Sequence, residues 1–268
     1  MTGTTNYDFE EESAIVTGST KGIGRGIAET LVRYGANVCV NSRTPEAVRD
    51  TVDELNELGD GEVTGEVGDV GDTGDIDRVI QWAVDAFGSI DLLVNNAAMW
   101  PREDSMVEAD LEDWDDTMSV NVRSQFYAAR QVARHMIDRG IEGNIINITS
   151  QTGDRRTGGR GLYGVSNTSV NGLTWRMAQD LAEHGIRMNA VSTDATNSYQ
   201  LRHEAELIAE EEDDRTPEDI LDRWAQDRPL GRLGEPEDLG HAVCWLASDK
   251  ASYVVGTILR VSGGGNLM

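Results

Sequence analysis

The chain has 268 residues, with 48 Asp plus Glu against 23 Lys plus Arg and a formal charge of −25, a field that repels phosphate backbones and argues against a nucleic-acid partner. No apolar run approaches a membrane span, and the two cysteines, Cys39 and Cys244, lie inside apolar stretches. They suit small buried side chains in a reducing cytoplasm better than a disulfide or metal framework.

From the N-terminus, Met1 to Glu12 is polar and acidic and is not expected to act as a signal peptide. Short apolar runs then follow at Ala14 to Thr17, Asn37 to Asn41, Gly61 to Val67, Ile90 to Asn95, Asn144 to Thr149, Ile186 to Ser192 and Thr257 to Val261. Between them lie stretches of helical period near 23–34, 46–58, 75–87, 111–139, 162–184 and 236–248. Strands alternating with helices predict an α/β fold, a Rossmann-type doubly wound parallel sheet of about seven strands with helices on both faces. Its ligand crevice is expected at the carboxyl ends of the strands. One domain over 1–268 is expected, and the acidic, helical segment around 194–230 reads as an insertion over the crevice, a substrate lid.

The first strand runs into Thr17-Gly18-Ser19-Thr20-Lys21-Gly22-Ile23-Gly24, directly ahead of a helix. Gly18, Gly22 and Gly24 permit a tight turn and the close approach of a diphosphate to backbone N–H groups at the helix start. Strand before and helix after are the context a nucleotide loop requires.

This Thr-Gly-x-x-x-Gly-x-Gly spacing resembles that of the short-chain dehydrogenase/reductase family, and the resemblance extends over almost the whole chain. Asn95-Asn96-Ala97-Ala98 is similar to the family's Asn-Asn-Ala-Gly motif, with Ala98 in place of glycine. Asp69-Val70 resembles its adenine-contacting pair, and Pro229 to Asp238 a stretch common in its bacterial and archaeal ketone reductases. The resemblance implies hydride transfer between a nicotinamide and a carbonyl or alcohol substrate. It implies Tyr163 as acid/base, Ser150 as the hydroxyl that fixes the carbonyl oxygen, and Asn121 as the holder of a water in a proton relay. It further implies a cofactor lined by Gly18, Ser19, Thr20, Lys21, Gly22, Ile23, Gly24, Asp69, Val70, Asn96, Ala97, Ala98, Tyr163, Asn167 and Thr196. A homotetramer or dimer is implied as well, with 111–139, 162–184 and the tail from Thr257 at the interfaces.

Cofactor choice follows from charge. Where a member of this fold that prefers NAD carries a carboxylate after its second strand, this chain has neutral Ser42 followed by Arg43, a planar fork suited to a 2′-phosphate. Lys21 is expected to add a second cation. NADP(H) is therefore expected, with NAD(H) as the alternative.

Two departures from the family pattern stand out. Asn167 occupies the position of a lysine whose ammonium would lower the tyrosine pKa and bind the nicotinamide ribose. Arg155, Arg156 and Arg160 lie near in sequence as candidate substitutes. After the sixth strand, Thr193-Asp194-Ala195-Thr196 replaces a Pro-Gly turn, and Asp194 is expected to bring a negative charge towards the pocket. The pocket is expected to be walled by Met99, Trp100, Gln151 to Thr157 and the insertion. Arg102 with the three other arginines would either meet an anionic substrate or stand solvated. A nucleotide-binding homologue without catalysis, a sensor or oligomer partner, is the competing reading. Because the acidic residues spread along the whole chain and Lys21 and Lys250 are its only lysines, the surface is similar to that of proteins from salt-loving microbes. Stability is expected to fall at low salt.

Overall fold

The computed structural model describes residues 7–59, 61–101, 106–154, 161–212 and 214–267. Seven parallel strands form one sheet in the order β3-β2-β1-β4-β5-β6-β7: β1 Ser13–Val16, β2 Asn37–Ser42, β3 Val63–Val67, β4 Leu92–Asn95, β5 Asn144–Ser150, β6 Arg187–Thr193 and β7 Ile258–Val261. Each predicted run overlaps one of them, with ends displaced by at most two residues. The order reverses between β1 and β4, the switch point at which such sheets open a crevice.

Alternation along the strands assigns the helices to their faces. Ala14 and Val16 point to a core shared with α1 (Gly22–Arg33), α2 (Pro45–Leu55) and α9 (Pro236–Ala247), through Ile27, Leu31, Val48, Leu239 and Val243. Ile15 points the other way, to α3 (Thr73–Phe87), α5 (Ser124–Arg139) and α6 (Gly161–Leu181), through Val79, Val132, Met136 and Leu181. Both faces of a parallel sheet are thereby covered, as burying its continuous apolar strands requires. The α1–α9 contact is close because a Cβ on Gly26 would lie 2.3 Å from that of Pro236, and one on Gly240 2.2 Å from the Thr30 hydroxyl.

The helix predicted over 111–139 is interrupted. Between α4 (Leu111–Met118) and α5 lies a π-helical turn, Ser119–Arg123, and Asn121 is on it. Such a turn adds a residue without ending the helix and re-aims one side chain, which a continuous apolar pattern cannot reveal. The predicted insertion comprises α7 (Tyr199–Glu211) and α8 (Pro217–Gln226), packed around a small core of their own, Leu201, Ala205, Ile220 and Leu221. Among the described residues no helix is long and apolar enough to cross a membrane.

At the amino ends of the strands, Arg187 donates to the carbonyls of Leu246, Ala247, Ser248 and Ala251 at 2.6–3.2 Å and so closes the end of α9. Beside it, burial pushes the Glu12 carboxyl up to about 7 from 4.5, helped by the charges of Asp91, Asp249 and Asp8 and opposed by Arg187. A carboxyl whose folded pKa is raised favours the folded state most below its unfolded value, and that advantage is lost as pH rises. Stability should therefore decline between pH 4.5 and 7. Glu12→Gln should flatten that decline and stabilise the protein at pH 8 by about 1–2 kcal/mol, measured by denaturant unfolding at constant high salt. An unchanged pH slope in the variant would remove Glu12 as its source.

Candidate active site

A crevice of about 620 Å³ opens along the carboxyl ends of the strands, lined by the loop after β1, the ends of β2 to β6 and the start of α7. Its floor is the glycine loop. Gly18 and Gly22 adopt positive φ (62° and 58°), and a Cβ on Gly24 would sit 2.3 Å from Asn96 Nδ2 and 2.4 Å from the Gly18 carbonyl. Only glycine fits there.

Asn96 clasps this loop across the switch point. Its Nδ2 donates to the carbonyls of Thr17 (2.9 Å) and Gly18 (3.1 Å), while Thr17 Oγ1 accepts from the Asn96 and Ala97 N–H groups. Asn95 points below, donating to Asn147 Oδ1 at 3.0 Å; Asn147 in turn donates to Thr174 Oγ1. Buried amides thus tie β4 to β5 and α6, each with a partner, as burial demands.

Gly18, Thr20, Lys21, Gly22, Ile23, Gly24, Ser42, Arg43, Asp69, Val70, Asn96, Ala97, Ala98 and Tyr163 all line the crevice. Ser19 does not. It is fully buried, donating to the Val16 carbonyl at 2.6 Å and accepting from Asn41 N–H at 3.0 Å, so its hydroxyl shapes the loop from beneath. Thr196 is also buried, 2.8 Å from Thr193 Oγ1, with Thr193 at the crevice wall. Arg43 extends over the end of β2 in a loose 3.7 Å pair with Asp69. The Lys21 ammonium lies 4.1 Å from the centroid of the Tyr199 ring, a cation–π contact joining glycine loop to α7. Ser198, Tyr199 and Gln200, which open the segment expected to lie over the crevice, also line it, though the sequence did not single them out within that segment.

Ser150 ends β5, its Oγ accepting from Thr152 N–H at 3.2 Å, and the turn it begins packs on α6. There Thr168 Oγ1 donates to the Gly153 carbonyl at 2.8 Å. Tyr163, on the first turn of α6, stacks on Trp100 with ring centroids 5.5 Å apart and planes 19° from parallel. Asn121 is buried and both its amide hydrogens are engaged: Nδ2 donates to the Met99 carbonyl (2.8 Å) and Ser166 Oγ (3.0 Å) and Oδ1 accepts from Met99 N–H (2.8 Å). Its side chain is a strut between two walls of the site.

Asn167 is buried, and its Nδ2 donates to the Tyr163 carbonyl one turn back at 2.8 Å. The side chain folds onto its own helix, and Asn167 is not among the lining residues. Arg102, Arg155, Arg156 and Arg160 lie outside the described residues. Asp194 corrects the expectation of charge in the pocket. It forms a two-pronged ion pair with Arg228, 2.6 Å from Nε and 3.1 Å from Nη2, with both side chains mostly buried. Gly265 closes over the pair, since a Cβ there would lie 2.1 Å from Asp194 Oδ2. The turn that lacks Pro-Gly is instead strapped by this pair and by main-chain bonds of Ala195 and Asn197 with Gly234.

Residues 18–266 match the family model described as Enoyl-(Acyl carrier protein) reductase. Over 258 residues the chain is 35% identical to gluconate 5-dehydrogenase of Gluconobacter oxydans, covering 96% of each protein. The chain belongs to the short-chain dehydrogenase/reductase family. Another relative in that family, a 3-oxoacyl-(acyl-carrier-protein) reductase of Staphylococcus epidermidis, is 33% identical over 94% of this chain and 98% of its own. Among solved structures, L-sorbose reductase from Gluconobacter frateurii, complexed with NADPH and L-sorbose, superposes with a TM-score of 0.91 at 25% identity, covering 97% of this chain and 98% of that one. Members of this family act as oxidoreductases on hydroxyl or carbonyl groups with NAD(P)(H), and the Gly18–Gly24 cradle fits a dinucleotide.

Proposed function

We propose that this short-chain dehydrogenase/reductase is an NADP(H)-dependent carbonyl reductase or alcohol dehydrogenase. The observation that carries the reading is the placement of Tyr163 in the wall of a crevice that also holds the glycine loop and Arg43. When bound, the dinucleotide supplies the hydride. The chain's own work is then orientation and a proton. Backbone N–H groups of the glycine loop receive the diphosphate, and Arg43, held among the described residues only by the 3.7 Å pair with Asp69, turns its fork to a 2′-phosphate. Ser150 fixes the carbonyl oxygen, and Tyr163 gives its proton to the developing alkoxide. Asn121 and Asn167 act by holding backbone in place. Thr193 meets the cofactor at the rebuilt turn, which Thr196 supports from behind.

Purified protein in high salt should oxidise NADPH on addition of a panel of ketones, with a weaker response to NADH. Binding of NADPH without oxidation by any ketone would sink the reductase reading. Arg43→Ala should weaken NADPH binding by roughly 10- to 100-fold, the worth of a charge-assisted hydrogen bond, while leaving NADH binding little changed. Equal losses for both cofactors would mean that Arg43 does not read the 2′-phosphate.

A salt-rich cytoplasm is proposed as the working medium on the charge alone. A homo-oligomer, tetramer or dimer, is supported by apolar side chains left exposed on the helices expected at interfaces: Phe126 on α5 and Val165 and Trp175 on α6. The α7–α8 pair is proposed as the substrate lid, supported by its separate core and by Tyr199 over Lys21.

A further inference from the structure

We infer that Trp100, which is not itself among the residues lining the crevice but stacks on Tyr163, which is, determines specificity by setting how bulky a ketone Tyr163 can receive. The inference rests on the reductase reading above and goes beyond it by naming the substrate class: compact ketones, without a large substituent projecting on the indole side. Three observations lead there. The indole and phenol rings lie nearly parallel with centroids 5.5 Å apart, so no layer of substrate fits between them. The backbone just before the indole is pinned, because Met99 N–H and C=O are both bonded to the Asn121 carboxamide at 2.8 Å. The same carboxamide donates to Ser166 Oγ at 3.0 Å, and Ser166 donates to the Tyr163 carbonyl at 2.9 Å.

One buried amide on the π-helical turn therefore references both the residue before the indole and the helix that carries the phenol. Wall and proton donor keep a fixed relation, which is what a selective pocket requires. A reacting carbonyl must come within hydrogen-bond reach of the phenol oxygen. A substituent that projects to the indole side then meets a closed aromatic pair whose backbone is pinned at Met99.

Two probes that share one carbonyl, cyclohexanone and 4-phenylcyclohexanone, isolate the effect of bulk. For parent, Trp100→Ala and Trp100→Phe, kcat/KM with NADPH is measured for each ketone, together with the affinity of each ketone for the enzyme–NADPH complex from nicotinamide fluorescence. Trp100→Ala should raise the ratio of bulky to compact kcat/KM by about tenfold or more, chiefly through KM for the bulky ketone, with Trp100→Phe between the two. NADPH affinity should not move, which separates a pocket wall from a merely structural residue. A ratio in Trp100→Ala within about twofold of the parent's, or a parallel fall for both ketones, overturns the inference. If no protein oxidises NADPH, the reductase reading fails by itself, and ketone binding still decides on Trp100. A shifted binding ratio sustains it, whereas an unshifted ratio or no ketone binding to any of the three proteins overturns it.

Discussion

Asn167→Lys should raise turnover at neutral pH by roughly tenfold or more, a part of the about 10²–10⁴-fold that general acid–base catalysis typically contributes. Asn167 stands one turn beyond Tyr163, its amide donates to that residue's carbonyl, and being neutral it contributes no charge to the site. An ammonium at this position favours the ionised phenol, because an opposite charge within a few ångströms stabilises the charged form. The sign follows for each direction of reaction. In alcohol oxidation the tyrosinate is the base, so the rising limb of the pH–rate profile should move to lower pH in the variant. In ketone reduction the gain should come from a proton donor better held against the ribose side of the pocket. Steady-state rates of parent and variant between about pH 6 and 10 measure both. An active parent whose rate and profile match those of the variant would show that the lysine's role is filled by another group.

Tyr163→Phe should reduce kcat by about 10²–10⁴-fold and leave NADPH affinity within about twofold. The substitution removes the hydroxyl and keeps the ring that stacks on Trp100, so the wall of the crevice is preserved. The double variant Tyr163→Phe, Asn167→Lys should be no faster than Tyr163→Phe alone, since the ammonium acts through the phenol. Activity of Tyr163→Phe within a few-fold of the parent would remove the phenol as proton donor.

The sheet was legible because its strands alternate with helices in the simplest βαβ rhythm, and apolar runs such as Leu92–Asn95 carry their own boundaries. The glycine loop was legible for a different reason: steric exclusion at Gly24 leaves a residue type in the sequence. What was hidden depends on contacts between distant segments. Nothing near Asp194 names Arg228, 34 residues on, as the partner that withdraws its charge from the pocket. Nothing near Asn121 says that an extra residue in the helical turn will aim its amide at Met99. Ser19 reads like any loop serine until Asn41, from the neighbouring strand, occupies its hydroxyl. For Asn167 the sequence told which charge is missing, and only the structure told where the amide went.

The scarcity of lysine has a practical side. Both lysines are held over tyrosine rings, Lys21 above Tyr199 at the crevice and Lys250 above Tyr7 at the opposite end of the chain, 4.5 Å from its centroid. A reagent that modifies side-chain amines therefore has two addresses in this molecule, and one of them opens onto the crevice. Mass spectrometry of that single peptide becomes a direct gauge of crevice occupancy, with the peptide of Lys250 as the internal standard.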